Sequence, residues 1–203
     1  MIGLIIKDLM NLKKLSKFYL LILAFYFIIS MAGEDQNMFG VMLIMLAVMI
    51  PMTALSYDEK NKWDRYALTM PLTRGTLVLS KYILGLIFLI TALVLALLSN
   101  AVFSDVILFE NLMINLTTLS VGIIMMSFIF PILLKYGVEK GRILMMIVIF
   151  APTALIVMLS KLGIPAPDPG KIEMFLKFLP VAAVAIYTLS IFVSMSIYKK
   201  KEF

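Results

Sequence analysis

The residues of this chain that could do chemistry are few, and they crowd into one stretch, Ser56–Lys81, SYDEKNKWDRYALTMPLTRGTLVLSK. It is the longest polar interruption in an otherwise apolar sequence. Ser56-Tyr57-Asp58-Glu59 has capping-box spacing: a hydroxyl for an orphan backbone N–H and a glutamate three residues on. Asp58 and Glu59 bring negative charge to a first helical turn, where the helix dipole favours it. Trp63, Tyr66, Ala67 and Met70 then fall on one helix face. Asp58, Lys62 and Arg65 lie mostly off that face, and Asp58–Lys62 is a favourable i,i+4 pair. Pro71 disfavours helical geometry at Met70, and Thr73 stands where it can cap the next helix. The spacing predicts a short amphipathic helix, a break, and a second helix running into Tyr82–Val102. Such a helix is either a connector that satisfies its own backbone, or a coupling helix with its apolar face on a membrane domain and its charges offered to a soluble partner.

Other chemistries lack their residues. The chain has 0 Cys and 0 His, which excludes thiolate and imidazole metal sites, disulfides and Ser-His or Cys-His nucleophile pairs. The nearest approach to a phosphate loop is Gly163–Lys171, GIPAPDPGK. Its glycines are too far apart, Ile172 stands where Ser or Thr is needed, and three prolines remove backbone donors. Ion-coupled transport calls for an ionisable residue inside a span. The apolar cores of the expected spans contain none: Lys17 stands near the start of its run, and Lys81, Lys135 and Lys177 sit at edges, placed to snorkel. No catalytic residue, cofactor site or metal site is expected.

The elements that must position the charged stretch are set by composition. Hydrophobic residues make up 63% and charged residues 15%, against about 45–50% and 25% in a soluble globule. The expected class is an all-α integral membrane protein in one domain, residues 1–203. Six apolar runs, 15–32, 38–55, 82–102, 112–134, 143–160 and 178–198, hold 18 to 23 residues each, and about 20 cross the hydrocarbon core. Residues 1–14 read as an interfacial amphipathic helix, with Ile2, Ile5, Ile6, Leu9 and Leu12 on one face and Lys7, Asp8, Asn11 and Lys14 largely opposite. Ser104–Asn111 reads as a short interfacial helix and Ile164–Gly170 as a stiff proline turn.

Of the 18 Lys and Arg, 15 fall on the side that holds both termini and Ser56–Lys81; only Lys161, Lys171 and Lys177 fall on the other. That bias places both termini in the cytoplasm. It also accounts for the net charge of +6 without nucleic acid as a partner. Pro51, Pro131, Pro152 and Pro180 are ordinary membrane-helix prolines or hinges of a transport cycle. Ser99, Asn100, Asn115, Thr117, Thr118, Ser120 and Ser127 read first as interhelical hydrogen bonders. Asn100, Asn115 and Thr118 are the candidates for lining a translocation path.

The run Asp58-Glu59-Lys60…Met70-Pro71-Leu72-Thr73-Arg74…Lys81-Tyr82-Ile83-Leu84-Gly85 resembles the loop between the second and third spans of ABC-2-type transporter permeases. The small size and short outer loops look most like compact permeases of bacterial peptide exporters, including the phenol-soluble modulin type. One departure stands at the head of the loop, where the family often carries Glu-Arg-Gly-Thr and this chain has Lys60-Asn61-Lys62-Trp63. The resemblance implies a permease subunit in the bacterial plasma membrane, paired with a second permease chain as a homo- or heterodimer. Cytoplasmic ABC ATPase subunits would hold ATP and Mg. It further implies export of a hydrophobic or amphipathic solute such as a peptide, with Asp58, Glu59, Lys62, Trp63, Arg65 and Tyr66 meeting the ATPase. The alternative is a membrane immunity or sensory subunit that binds a peptide or partner protein without transport.

Overall fold

The computed structural model describes residues 1–32, 37–103, 108–162 and 169–201. Inside its helices, the side chains at 31–32, 37, 102–103, 108–111, 145, 148–149, 152–153, 156, 159–160, 169 and 171–173 lie outside that description. Every regular element among the described residues is helical: α1 Ile2–Lys13, α2 Ser16–Ala32, α3 Asn37–Lys60, α4 Trp63–Ala67, α5 Arg74–Phe103, α6 Leu108–Tyr136, α7 Val138–Lys161 and α8 Pro169–Lys200. Four of them are long and apolar enough to cross a membrane, over Met38–Lys60, Arg74–Ala101, Leu112–Tyr136 and Met174–Lys200. A shorter apolar helix covers Ser16–Ser30, and α7 covers the fifth expected run.

Several boundaries differ from expectation. The second span does not end at Leu55 but continues as α3 to Lys60. The helix of the third apolar run begins at Arg74 and runs into Tyr82, as the Thr73 cap leads one to expect, whereas the last begins at Pro169, not Phe178. Apolar runs mark only the lipid-compatible part of a helix, and polar turns extend beyond it. Leu108–Asn111 belong to α6 rather than to a separate interfacial helix. The expected proline turn falls almost wholly outside the described residues.

The core is α3, α5, α6 and α8. Helix α3 packs on α5 and α6, and α8 packs on α5 and α6. Helix α7 lies on α6 and α3, while among the described residues α2 reaches only α3 and α1. Lipid competes with any apolar partner, so these contacts are won by close packing and internal hydrogen bonds. Gly85 shows the first: a Cβ there would run into the Met126 side chain and come within 3.3 Å of Pro51 Cγ. Tyr82 shows the second. Its hydroxyl lies 2.6 Å from Ser190 Oγ and 2.7 Å from Ser194 Oγ, joining α5 to α8. Ser190 Oγ in turn donates to the Ser127 carbonyl of α6, and the Tyr187 hydroxyl donates to the Tyr82 carbonyl.

Pro51, Pro131 and Pro180 sit inside α3, α6 and α8, which run on through them. Pro152 falls within the bounds of α7, with its side chain outside the description.

Candidate functional site

The charged stretch folds differently from its local pattern. Ser56 does not cap a helix; it lies inside α3, which ends only at Lys60. Lys62 follows in the left-handed region at φ 50°, the one non-glycine residue with positive φ among those described. That conformation costs a non-glycine residue about 1–2 kcal/mol, so the chain breaks at Asn61-Lys62 against a local preference. Helix α4 is then a single short turn, Trp63–Ala67, ending before Pro71 as the proline requires. The expected apolar face is split. Ala67 is buried and Trp63 half-buried, but Tyr66 is 63% exposed and Met70 is exposed beyond the helix end. Thr73 does cap the next helix, its Oγ1 accepting from the Thr76 N–H at 3.2 Å.

Behind α4 lies a closed ring of four charges. Lys81 Nζ of α5 reaches Asp8 Oδ2 at 2.7 Å and Asp58 Oδ2 at 2.5 Å. Lys7 Nζ of α1 reaches Asp58 Oδ1 at 2.6 Å and Asp8 Oδ1 at 3.0 Å. The last contact is an ion pair without hydrogen-bond geometry, which leaves Asp8 Oδ1 with no hydrogen-bond partner. The ring is neutral and well removed from solvent: Asp8 is 0%, Asp58 5% and Lys81 8% exposed. Buried charges persist only when paired in this way. The ring ties α1, α3 and α5 together at one point. Lys7 Nζ also stands 4.4 Å from the centroid of the Trp63 ring, a cation–π distance that links the cluster to α4.

The structure departs from three expectations. Asp58 is not on an outward charged face and does not pair with Lys62; it is buried in the ring. Lys81 does not snorkel from a helix edge but turns inward to two carboxylates. Asp8 does not share a solvent face of α1: Leu4, Asp8 and Leu12 face the protein, while Ile2, Ile6, Leu9 and Met10 are exposed. The exposed side of α1 is apolar.

Glu59 is exposed, yet its Oε2 accepts the Val138 N–H at 2.5 Å. It thereby satisfies one of the orphan donors at the start of α7. The tight α6–α7 turn beside it is made by Gly137 at φ +80°, where a Cβ would meet Glu59 Oε1 at 2.5 Å. Arg74 caps another helix end. Its Nη1 donates to the carbonyls of Lys199 at 2.6 Å, Lys201 at 3.1 Å and Tyr198 at 3.4 Å, placing a cation at the negative end of α8. Lys62, Arg65 and Tyr66 are exposed. A cavity of about 50 Å³ adjoins the ring, bounded by Lys7, Asp58, Trp63, Lys81, Tyr198 and Lys201; it is large enough for bound water.

The polar residues of α5 and α6 mostly turn to their own backbone instead of bridging helices. Thr117, Thr118, Ser120 and Ser127 donate to the carbonyl four residues back, and Ser99 to the one three back. Asn100 and Asn115 are buried, Asn115 against Gly40, whose Cβ would stand 3.1 Å from its Oδ1. Neither Asn nor Thr118 lines the cavity beside the ring. Sequence reasoning missed Lys7, Asp8 and Lys81 as site residues. The signal available was that Asp8 and Lys81 each border an apolar face.

A family model described as "ABC-2 family transporter protein" matches residues 3–199. No curated protein and no solved structure matches the chain significantly.

Proposed function

The chain belongs to the ABC-2 family of transporter proteins, and on that premise we propose that it is the permease subunit of an ABC exporter. It spans the bacterial plasma membrane six times, through α2, α3, α5, α6, α7 and α8, with both termini in the cytoplasm. The bias of 15 of 18 Lys and Arg to one side supports that orientation. It pairs with a second permease chain, and a separate cytoplasmic ATPase binds ATP and Mg. The cargo is a hydrophobic or amphipathic solute, a peptide by resemblance, moved without an ionisable relay in the apolar cores of the spans.

The observation that carries this reading is the exposed turn α4 backed by the buried ring. Lys62, Arg65 and Tyr66 face outward, while Trp63 on the same turn contacts Lys7. A push on α4 would pass through Lys7 to Asp58 and Lys81, and so to α3 and α5 together. The left-handed Lys62 is the joint at which α4 moves relative to α3. The prolines of α3, α6, α7 and α8 let those helices bend as the partner ATPases close on ATP. ATP can shift the permease only through its differential affinity for the two states of the complex.

The test is reconstitution with the ATPase encoded beside the permease. Alone, the chain neither binds nor hydrolyses ATP. Arg65→Glu with Tyr66→Ala weakens ATPase binding at least tenfold while thermal stability stays at the wild-type value; a desolvated interface charge is worth about 2–5 kcal/mol. Wild-type binding and stimulation in that variant would sink the proposal.

A further inference from the structure

We propose that the gap between α2 and α5 is a binding site for one anionic phospholipid, its acyl chain in the gap and its phosphate on Lys13, Lys14 and Lys17. Among the described residues, α2 and α5 do not pack on each other. Between them, with α3 as the floor and Leu9 and Leu12 of α1 at one end, lies a cleft of about 520 Å³. Leu20 and Leu95 at its rim are exposed, so it opens sideways along the helices.

The lining is apolar, and its few polar groups are already engaged. Ser16 Oγ donates to the Lys13 carbonyl at 2.8 Å, the Tyr19 hydroxyl bonds Thr53 Oγ1 at 2.9 Å, and Thr91 Oγ1 donates to the Phe88 carbonyl at 2.8 Å. Lys13 lines one end of the cleft, and Lys14 and Lys17 follow within a turn, all three exposed. No carboxylate pairs with any of them among the described residues.

An apolar slot with three unneutralised ammonium groups at one end has the polarity of an anionic amphiphile. Its depth selects the lipid. From Ser16 to Leu23 along α2 is about 10 Å at helical rise, within the half-thickness of about 15 Å that one leaflet provides. A cationic amphipathic peptide would meet repulsion at the lysines. An unfilled slot would forfeit the dispersion contacts of its whole lining. The site does not rest on the transport reading and stands or falls separately.

The experiment is native mass spectrometry of the detergent-purified full chain offered phosphatidylglycerol or phosphatidylcholine of matched acyl length. Wild type should retain one phosphatidylglycerol per chain in preference to phosphatidylcholine. Lys13→Gln/Lys14→Gln/Lys17→Gln should lose that preference, by about fivefold per lysine removed. Thr91→Trp, which fills the slot from an exposed position, should lose the retained lipid of either kind; Leu95→Trp replaces it if the first variant folds poorly. Equal retention of both lipids by wild type, or an unchanged lipid adduct in both Trp variants, overturns the proposal. So does a chain dimer or bound peptide that Thr91→Trp removes in place of lipid.

Discussion

Removing Lys81 should be among the most damaging single changes in this protein. Lys81→Met keeps the length and apolar stem of the side chain but takes one of two cations from the ring. Asp8 and Asp58 then share Lys7 alone, with Asp8 0% and Asp58 5% exposed. Breaking a buried pair by deleting one partner costs about 3–5 kcal/mol, because the remaining charge is left without compensation. Lys7→Met should cost less, about 1.5–3 kcal/mol, since the Lys7 side chain is 22% exposed against 10% for Lys81 and water replaces part of the loss. For a chain of this length each kcal/mol moves the midpoint by about 2–4 °C. Lys81→Met should therefore lower the unfolding temperature by on the order of 10 °C, read by intrinsic fluorescence in detergent. The double variant Lys81→Met/Asp8→Asn restores neutrality, leaving the Lys7–Asp58 pair intact. Its cost should fall short of the sum of the single costs by about 0.5–3 kcal/mol, the range for coupled neighbours. A Lys81→Met midpoint within 2 °C of wild type, or strict additivity in the cycle, would refute the view that the ring holds α1, α3 and α5 together.

Other consequences can be checked with the same material. Arg74→Ala removes three carbonyl contacts at the end of α8 and should cost about 1–2 kcal/mol, with faster amide exchange at 198–201 and unchanged exchange at the α5–α8 hydroxyl network. Gly137→Ala places a side chain at φ +80° against Glu59; it should cost about 1–2 kcal/mol or more, and Glu59→Ala in the same chain should relieve the contact part of that cost but not the backbone part. Single cysteines at Asn61 and Lys140 should react only from the cytoplasm and one at Asp168 only from outside; a reversed or mixed pattern would end the six-span topology.

The sequence by itself determined what burial and backbone chemistry dictate locally. The apolar runs located α3, α5, α6 and α8 because a bilayer demands long, internally hydrogen-bonded apolar helices. The polar interruption, the break before Pro71 and the Thr73 cap were likewise legible, each being a property of a few adjacent residues. Tertiary structure alone decided the use of the charges. Local spacing paired Asp58 with Lys62, and periodicity set Asp8 on the polar side of α1. Both statements concern one helix in isolation, where every charge is equally well served by water. Once α1, α3 and α5 meet, Asp8 and Asp58 are drawn from solvent, and Lys7 and Lys81 stand between them as the paired opposite charges that burial calls for. Lys7 comes from the first helix and Lys81 from the fifth, and no pattern within either specifies the other. The same holds for Arg74, which stands at the start of α5 and closes the end of α8, 124 residues on. Which charges stay outside on α4 is therefore a consequence of which ones the packed helices take in.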